Sequence, residues 1–195
     1  SGQLKIAPEH IADRTLYYMN KTPHALYEEF IRRYERMNER LGKKQFVVPY
    51  LMSSHPGCTL DDAVELALYL KKTGHRPQQV QDFYPTPGTV STCMYYTGLD
   101  PRTMQPVFVP KTPQEKAMQR ALMQYFLPAN FNTVRKALRL CSREDLIGTG
   151  KNALVPPERT QESTGRGRNP QRRNEIPQKK GKQTKKSVDK RRRNG

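Results

Sequence analysis

The sequence contains no tryptophan, only three cysteines and no apolar run of membrane-spanning length. Cys58, Cys93 and Cys141 are separated by 35 and 48 residues, so they form neither a CxxC metal pair nor a disulfide framework. The first residues also lack the basic start and apolar stretch of a secretory signal. These absences exclude a transmembrane helix, disfavour a disulfide-stapled secreted fold and predict a cytoplasmic protein.

Acidic residues are scarce, with 18 Asp and Glu against 35 Lys and Arg, which gives a net charge of +17. Residues 151–195 hold 15 basic and 4 acidic residues, a net charge of +11, with no aromatic and only five aliphatic side chains. Such a segment buries too little apolar surface to offset the entropy of ordering, so we predict a disordered basic tail. Its charge suits nonspecific nucleic-acid binding, and a solvated tail that aids solubility explains the same composition.

Strand and helix patterns alternate over the first 90 residues. Strands are predicted at residues 3–7, 46–52 and 80–84, and the intervening helices at residues 24–41 and 60–73. This order is typical of a parallel α/β layer, whose helices cover the sheet. Beyond it, we predict a hairpin of residues 93–96 and 107–109, a helix that begins at Pro113 and is ended by Pro128, and a last helix at about residues 131–140.

Two of these elements carry specific packing predictions. Residues 46–52, FVVPYLM, are almost continuously apolar, which predicts a strand covered on both faces. The helix over residues 24–41 repeats apolar residues at three- and four-residue steps, which predicts a buried face. That face consists of Leu26, Phe30, Tyr34, Met37 and Leu41.

Three unusual peptides follow the three predicted strands. They are Pro8-Glu9-His10, residues 53–58 and residues 85–89. Ligands of parallel sheets bind at the carboxyl ends of strands, so the positions favour a binding face. Each peptide is also explained as a tight turn rich in Pro and Gly. Asp82, inside the third strand, needs a partner if it is buried, and Lys5 is one candidate.

Five peptides of the sequence together resemble a known protein family. The peptides GQLKIAPEH, FVVPYLMSSHPGCTLDDAVELALYLKKTG, QVQDFYPTPGT, YTGLDPRT and KAMQRAL occur in that order. Together they resemble the second half of YgiQ-like radical S-adenosylmethionine (SAM) proteins. The resemblance implies that residues 1–90 form the C-terminal half of a parallel partial TIM-type (β/α) barrel. It further implies a small, mostly helical family-specific extension at residues 91–150, with the basic tail after it.

The resemblance also implies a cofactor-binding role for the strand ends. Lys5, Glu9 and His10 would lie near the methionine or ribose part of SAM, and Ser54, His55, Pro56 and Gly57 would place their backbone against the adenine. Tyr84 would form the last edge of the site, together with a turn that contains Thr86, Pro87 and Gly88. The second peptide departs from the GFPGET-like family pattern at Ser54 and Cys58.

Radical SAM proteins bind a 4Fe-4S cluster through CxxxCxxC, and this chain has no such triplet. The cluster and SAM are therefore expected in a longer parent protein that generates a 5′-deoxyadenosyl radical, with its substrate and catalytic residues unknown. The missing N-terminal half of the barrel becomes the expected partner, and the fragment alone is expected to be inactive. A basic nucleic-acid-binding module without catalysis is the alternative, and a broken fragment without independent function is a third reading.

Overall fold

The computed structural model describes residues 2–158 of the chain. It contains three strands, β1 (Gln3–Glu9), β2 (Phe46–Ser53) and β3 (Gln81–Asp82), and six α-helices. The helices are α1 (Asp13–Tyr18), α2 (His24–Arg40), α3 (Leu60–Thr73), α4 (Val90–Thr97), α5 (Pro113–Met123) and α6 (Phe131–Leu140). None of the helices in these residues is both long and apolar enough to cross a membrane.

The three strands form one small parallel sheet in the order β1-β2-β3, as the alternating pattern predicts for an α/β layer. β3 pairs only with Met52 and Ser53, at the end of β2. Pro49 therefore lies where β2 has β1 as its strand neighbour and no β3 partner. This explains how a residue without an N–H donor is tolerated in the middle strand.

Local capping chemistry fixes two of the helices. Thr59 and Asp62 form a capping box at the start of α3, and Gly74 ends that helix in the left-handed conformation with φ +70°. Thr112 and Glu115 form a second capping box at α5, where Pro113 occupies the first turn. These boundaries match the sequence prediction because each depends on neighbouring residues alone.

The predicted hairpin of residues 93–96 and 107–109 is wrong. Residues 93–96 lie within helix α4, whose first turn is capped by Thr89 and whose end is Gly98 with φ +71°. Thr89 Oγ1 accepts a hydrogen bond from the Thr92 backbone N–H at 3.2 Å. The β-structure of this region is a single antiparallel bridge between Leu99 and Pro106. The local cap outweighs the β-propensity of the tyrosines in α4.

The core lies mainly on the helical side of the sheet. One cluster packs α3 against α5 and α6, with Ala67, Leu122 and Leu138 fully buried. A smaller cluster joins Leu51 of β2 to Leu66 and Leu70 of α3. The sheet is therefore anchored to the helices through one of its faces.

The opposite face of the sheet, here called the open face, is uncovered in the described part of the chain. Phe46 and Tyr50 of β2 are 55% and 44% exposed on it, and Lys5 stands beside them on β1. The prediction that β2 is covered on both faces therefore fails for these residues. The apolar sequence of β2 remains consistent with a second covering layer, because large apolar side chains gain free energy when they leave water.

Helix α2 shows a second departure from the sequence prediction. Its expected buried face is largely exposed, at 52% for Leu26, 42% for Phe30, 50% for Met37 and 59% for Leu41. We call these four residues the outer stripe. Asn38 is the buried residue of this helix.

Residues just after the predicted tail boundary are packed. Leu154 and Val155 are buried against the α3, α5 and α6 cluster, and the Arg135 guanidinium donates to the Pro156 carbonyl at 2.9 Å. Lys71 also donates to the Ala153 carbonyl. The predicted boundary at residue 151 is therefore too early, and the remainder of the predicted tail lies outside the described residues.

Candidate functional site

The first two strands end in the same unusual backbone conformation. Glu9, the last residue of β1, and Ser54, directly after β2, both have φ +64°. Few residues other than glycine adopt this left-handed conformation, and it often marks binding sites. A histidine follows each of them, and His10 and His55 are 1% and 3% exposed. The chain thus makes two similar sharp turns at the carboxyl end of its sheet.

His10 connects the two turns. Its Nδ1 accepts a hydrogen bond from the Ala12 backbone N–H at 3.0 Å, so the ring proton of the neutral form is on Nε2. Nε2 lies 3.6 Å from Sγ of Cys58, in the turn after β2. Burial lowers the pKa of His10 to about 4 and raises the pKa of Cys58 to about 12. The pair is neutral at pH 7 and is a poor nucleophile and base.

His55 is also held in one neutral form. Its Nδ1–H donates to the Pro56 carbonyl at 2.6 Å, and its Nε2 accepts from the Ser91 hydroxyl at 2.8 Å. The ring packs edge-on against Phe83, with 5.0 Å between the ring centroids. Burial lowers its pKa to about 4, although the hydrogen bond to the Pro56 carbonyl opposes this shift. Both ring nitrogens are therefore occupied by groups of the chain itself.

Gln119 of α5 holds residues 54–58, which we call the β2 turn. The Ser54 backbone N–H donates to Gln119 Oε1 at 2.8 Å, and Gln119 Nε2 donates to the Cys58 carbonyl at 2.8 Å. The Gly57 N–H donates to the Phe108 carbonyl at 2.7 Å. One amide side chain thus satisfies a donor and an acceptor of a turn whose residues are all buried.

Gly57 is required by both space and conformation. Its φ is +89°, and a Cβ atom there would lie 2.1 Å from the Tyr18 ring. The β2 turn is therefore pressed against the segment that follows β1. Five of the expected cofactor residues form a buried frame instead of an open surface: His10, Ser54, His55, Pro56 and Gly57.

The third peptide is accessible. Tyr84 is 78% exposed, and Thr86, Pro87 and Gly88 are exposed beside it. The Thr86 carbonyl accepts hydrogen bonds from the hydroxyls of Thr89 and Thr92, at 3.0 and 2.6 Å. This anchors the turn to the start of α4. Because Phe83 contacts His55, the third peptide adjoins the β2 turn.

Two further expected residues lie on β1. Lys5 is exposed and lines a cavity of about 1080 Å³, together with Tyr50 and Asp82. Glu9 pairs with Lys21, with 3.3 Å between Nζ and Oε1. Asp82 pairs with Arg120 at 3.1 Å, so the candidate pairing of Asp82 with Lys5 is not the one observed.

The residues that sequence reasoning missed come from distant elements. Gln119, Ser91 and Phe108 all hold the β2 turn, from 36 to 65 positions further along the chain than the residues they contact. No local motif marks such partners, because a single glutamine or serine in a helix is ordinary in composition.

The described residues do not bring a set of metal ligands together. Between residues 2 and 158, no three His, Cys, Asp or Glu side chains converge in a way that could hold a metal ion. Cys58, Cys93 and Cys141 are all free thiols. These residues do not fit a 4Fe-4S cluster, which is usually held by thiolates.

The fold and its turns define a class of α/β protein with a small parallel sheet and a structured strand-end face. The family described as "Domain of unknown function (DUF3362)" matches residues 78–195. A UPF0313 protein of Clostridium perfringens strain 13 is 57% identical over 169 residues, which is 87% of this chain and 25% of the relative. Another, from Clostridium botulinum strain 657, is 54% identical over 156 residues, or 80% and 24% of the two chains.

The chain therefore belongs to the DUF3362 family and is similar in sequence to the YgiQ-like UPF0313 proteins, as the ordered motifs predict. It spans about a quarter of the length of the curated relatives that it matches. No solved structure matches it.

Proposed function

We propose that the chain is part of a radical SAM enzyme, in which residues 1–90 complete a partial TIM-type barrel and its cofactor cradle. The observation that carries the proposal is the pair of left-handed strand ends beside the open face, at Glu9 and Ser54. Family membership supports it, because the UPF0313 relatives are about four times longer. Residues 91–150 would then be the family-specific extension that holds the cradle in place.

The expected cofactor residues divide into two groups under this proposal. Lys5, Glu9 and the exposed peptide of Tyr84 and residues 86–88 are accessible to a ligand. The lysine would attract the SAM carboxylate, and Tyr84 would offer an aromatic surface at the edge of the site.

The other five, His10, Ser54, His55, Pro56 and Gly57, would act on the cofactor only through the frame that they build. Their ring and backbone groups are buried, and many are already bonded within the chain. A rigid frame of this kind lowers the entropy cost of binding.

The chemistry would be shared between this chain and the rest of the parent protein. SAM, when bound beside a reduced 4Fe-4S cluster, supplies a 5′-deoxyadenosyl radical that abstracts a hydrogen atom from a substrate. The cluster ligands would have to come from another part of the longer polypeptide, because those described here do not fit it. A reducing, cytoplasmic location would keep both the free thiols and such a cluster reduced.

Two measurements test the proposal. The first inspects the sequences of the matched relatives outside the quarter that this chain covers. The absence of a CxxxCxxC triplet there overturns the assignment. The second replaces the matching segment of the Clostridium perfringens relative with this chain and reconstitutes the protein anaerobically. We expect reductant-dependent 5′-deoxyadenosine from the long protein and none from the 195-residue chain.

A matched pair of variants tests the accessible group. Lys5→Met in the long protein should weaken SAM binding about tenfold, because it removes a charge-assisted contact. Lys72→Met, at the exposed end of α3, removes the same charge away from the strand ends and should leave binding unchanged. Equal affinities for the two variants would remove Lys5 from the site.

Nucleic-acid binding by the final segment is a second candidate, favoured by the net charge of +11 over residues 151–195. Such binding would read phosphate charge and would weaken steeply as salt increases. A chain that ends at Glu158 retains the packed residues and should lose the binding. Unchanged affinity for a mixed-sequence RNA after this truncation would reject the tail as the binding element.

A further inference from the structure

Helix α2 has an apolar surface that is wider than the sheet beneath it can cover. At 3.6 residues per turn, the outer stripe occupies an arc of about 60°. Tyr27, Ile31 and Tyr34 lie beside this arc on the helix, and they face β2 and α3 across a cavity of about 300 Å³. The helix therefore partly buries one side of its apolar surface against its own chain and exposes the other side.

The outer stripe continues into a groove beside β1. Leu26 and Phe30 line a cavity of about 320 Å³, whose other wall includes Ile6 and Pro8 of β1. In the described residues, β1 is an edge strand, with β2 as its strand neighbour. An unpaired parallel edge and an exposed apolar groove thus adjoin each other, and contiguous apolar patches of this kind often mark contact surfaces.

We propose that this groove and the outer stripe receive an amphipathic helix of the longer UPF0313 polypeptide. That helix would belong to a strand–helix unit whose strand pairs in parallel with the free edge of β1. The docking proposal rests on the proposed barrel, and it names the contact through which the rest of the polypeptide would join this chain.

The direction of the sheet favours this occupant. All strand pairs described here are parallel, and parallel neighbours are connected almost always by right-handed crossovers. Both α2 and α3 cover the face of β2 that carries Leu51. A preceding unit built by the same rule would place its helix on this face, next to α2 and away from α3.

The family comparisons point to the same source. The DUF3362 match begins at residue 78, so β1, α2 and β2 lie before it, whereas the matches to the relatives cover 87% of this chain. A match over 169 of the 195 residues begins no later than residue 27, so β2 and most of α2 are shared with proteins in which about three quarters of the length is additional. A second copy of this chain would leave that additional length without a role at the free edge of β1.

Cysteine labelling tests the contact in intact proteins. Met37→Cys places a thiol in the outer stripe, and Arg36→Cys places one at an exposed position outside the stripe, about 100° away around the helix. Each variant is made in the 195-residue chain and in the Clostridium perfringens relative that carries this chain in place of its matching segment. Maleimide labelling of the α2 peptide is then followed by mass spectrometry.

We expect the cysteine at position 37 to react more slowly in the long protein than in the short chain, by about tenfold or more. The cysteine at position 36 should react at similar rates in both. Equal rates at position 37 overturn the proposal, as does equal slowing at both positions, which would mean that the whole helix is enclosed. Protection at position 37 that rises with the concentration of the short chain identifies a second copy as the occupant and also overturns it.

Labelling needs neither cluster nor cofactor. A long protein that protects position 37 but yields no 5′-deoxyadenosine would therefore reject the proposed chemistry and leave the docking contact standing.

Discussion

The two buried histidines predict a specific loss of stability in mild acid. The pKa values of His10 and His55 are lowered to about 4, from the usual 6.5, mainly because burial penalises their charged forms. The unfolded chain therefore takes up protons first as the pH falls below about 6.5, and this favours unfolding down to about pH 4. Between pH 7.5 and pH 5, each histidine should cost about 2 kcal/mol of unfolding free energy, or about 4 kcal/mol together.

Urea unfolding of the full chain at these two pH values measures the effect. His55→Gln should remove about half of the pH dependence, and the double variant with His10→Gln should remove most of it. His75, whose pKa burial also lowers, should leave a small remaining slope in the same direction. Carboxyl groups contribute little over this range, because those of the unfolded chain titrate near pH 4.

A variant that fails to fold does not prevent the test. The ring C–H resonances of His10 and His55 in the unmodified chain report both pKa values directly. Values near 6.5 for both residues, or a pH dependence that persists in a folded double variant, would refute the reasoning.

Two more predictions concern the β2 turn. Gly57→Ala should destabilise the chain by about 3 kcal/mol, because it adds a clash with Tyr18 to the cost of a left-handed backbone. Gly88→Ala, at φ +80° with no neighbouring atom within 4 Å, should cost about 1 kcal/mol; equal losses in urea unfolding would contradict the clash. Maleimide at pH 8 should modify exposed Cys93 and spare Cys58, whose thiol has a pKa of about 12, until urea unfolds the chain. Rapid labelling of Cys58 in the native chain would show that its burial is transient.

Local chemistry made part of the fold predictable. The capping residues of α3 and α5, with Gly74 after α3, act within a few positions of each other, so a short window of sequence contains the whole signal. The alternation of strands and helices likewise predicts the parallel sheet. The helix at residues 90–97 was missed because its Thr89 cap is weaker in sequence than the strand-forming residues that follow it.

Contacts over long distances were not predictable in the same way. The apolar repeat of α2 predicts which side chains the helix can bury, but it does not predict which part of a polypeptide covers them. Asp82 was correctly expected to need a partner, yet Arg120 meets it from α5 instead of Lys5 from β1. Position in the sequence predicts the strand-end peptides as a binding face, whereas the inaccessibility of His10 and His55 depends on how distant segments pack over them.

The hydrogen bonds of the Gln119 side chain cross the boundary of the family match. The DUF3362 match starts at residue 78, but the Gln119 side chain bonds to Ser54 and Cys58 of the β2 turn, which precede that start. A polypeptide cut at residue 78 would remove both hydrogen bonds from the β2 turn and leave the buried Gln119 amide without these partners. The family match and the hydrogen bonds thus divide this polypeptide at different places, and expression of residues 78–195 by themselves would yield an incomplete folding unit.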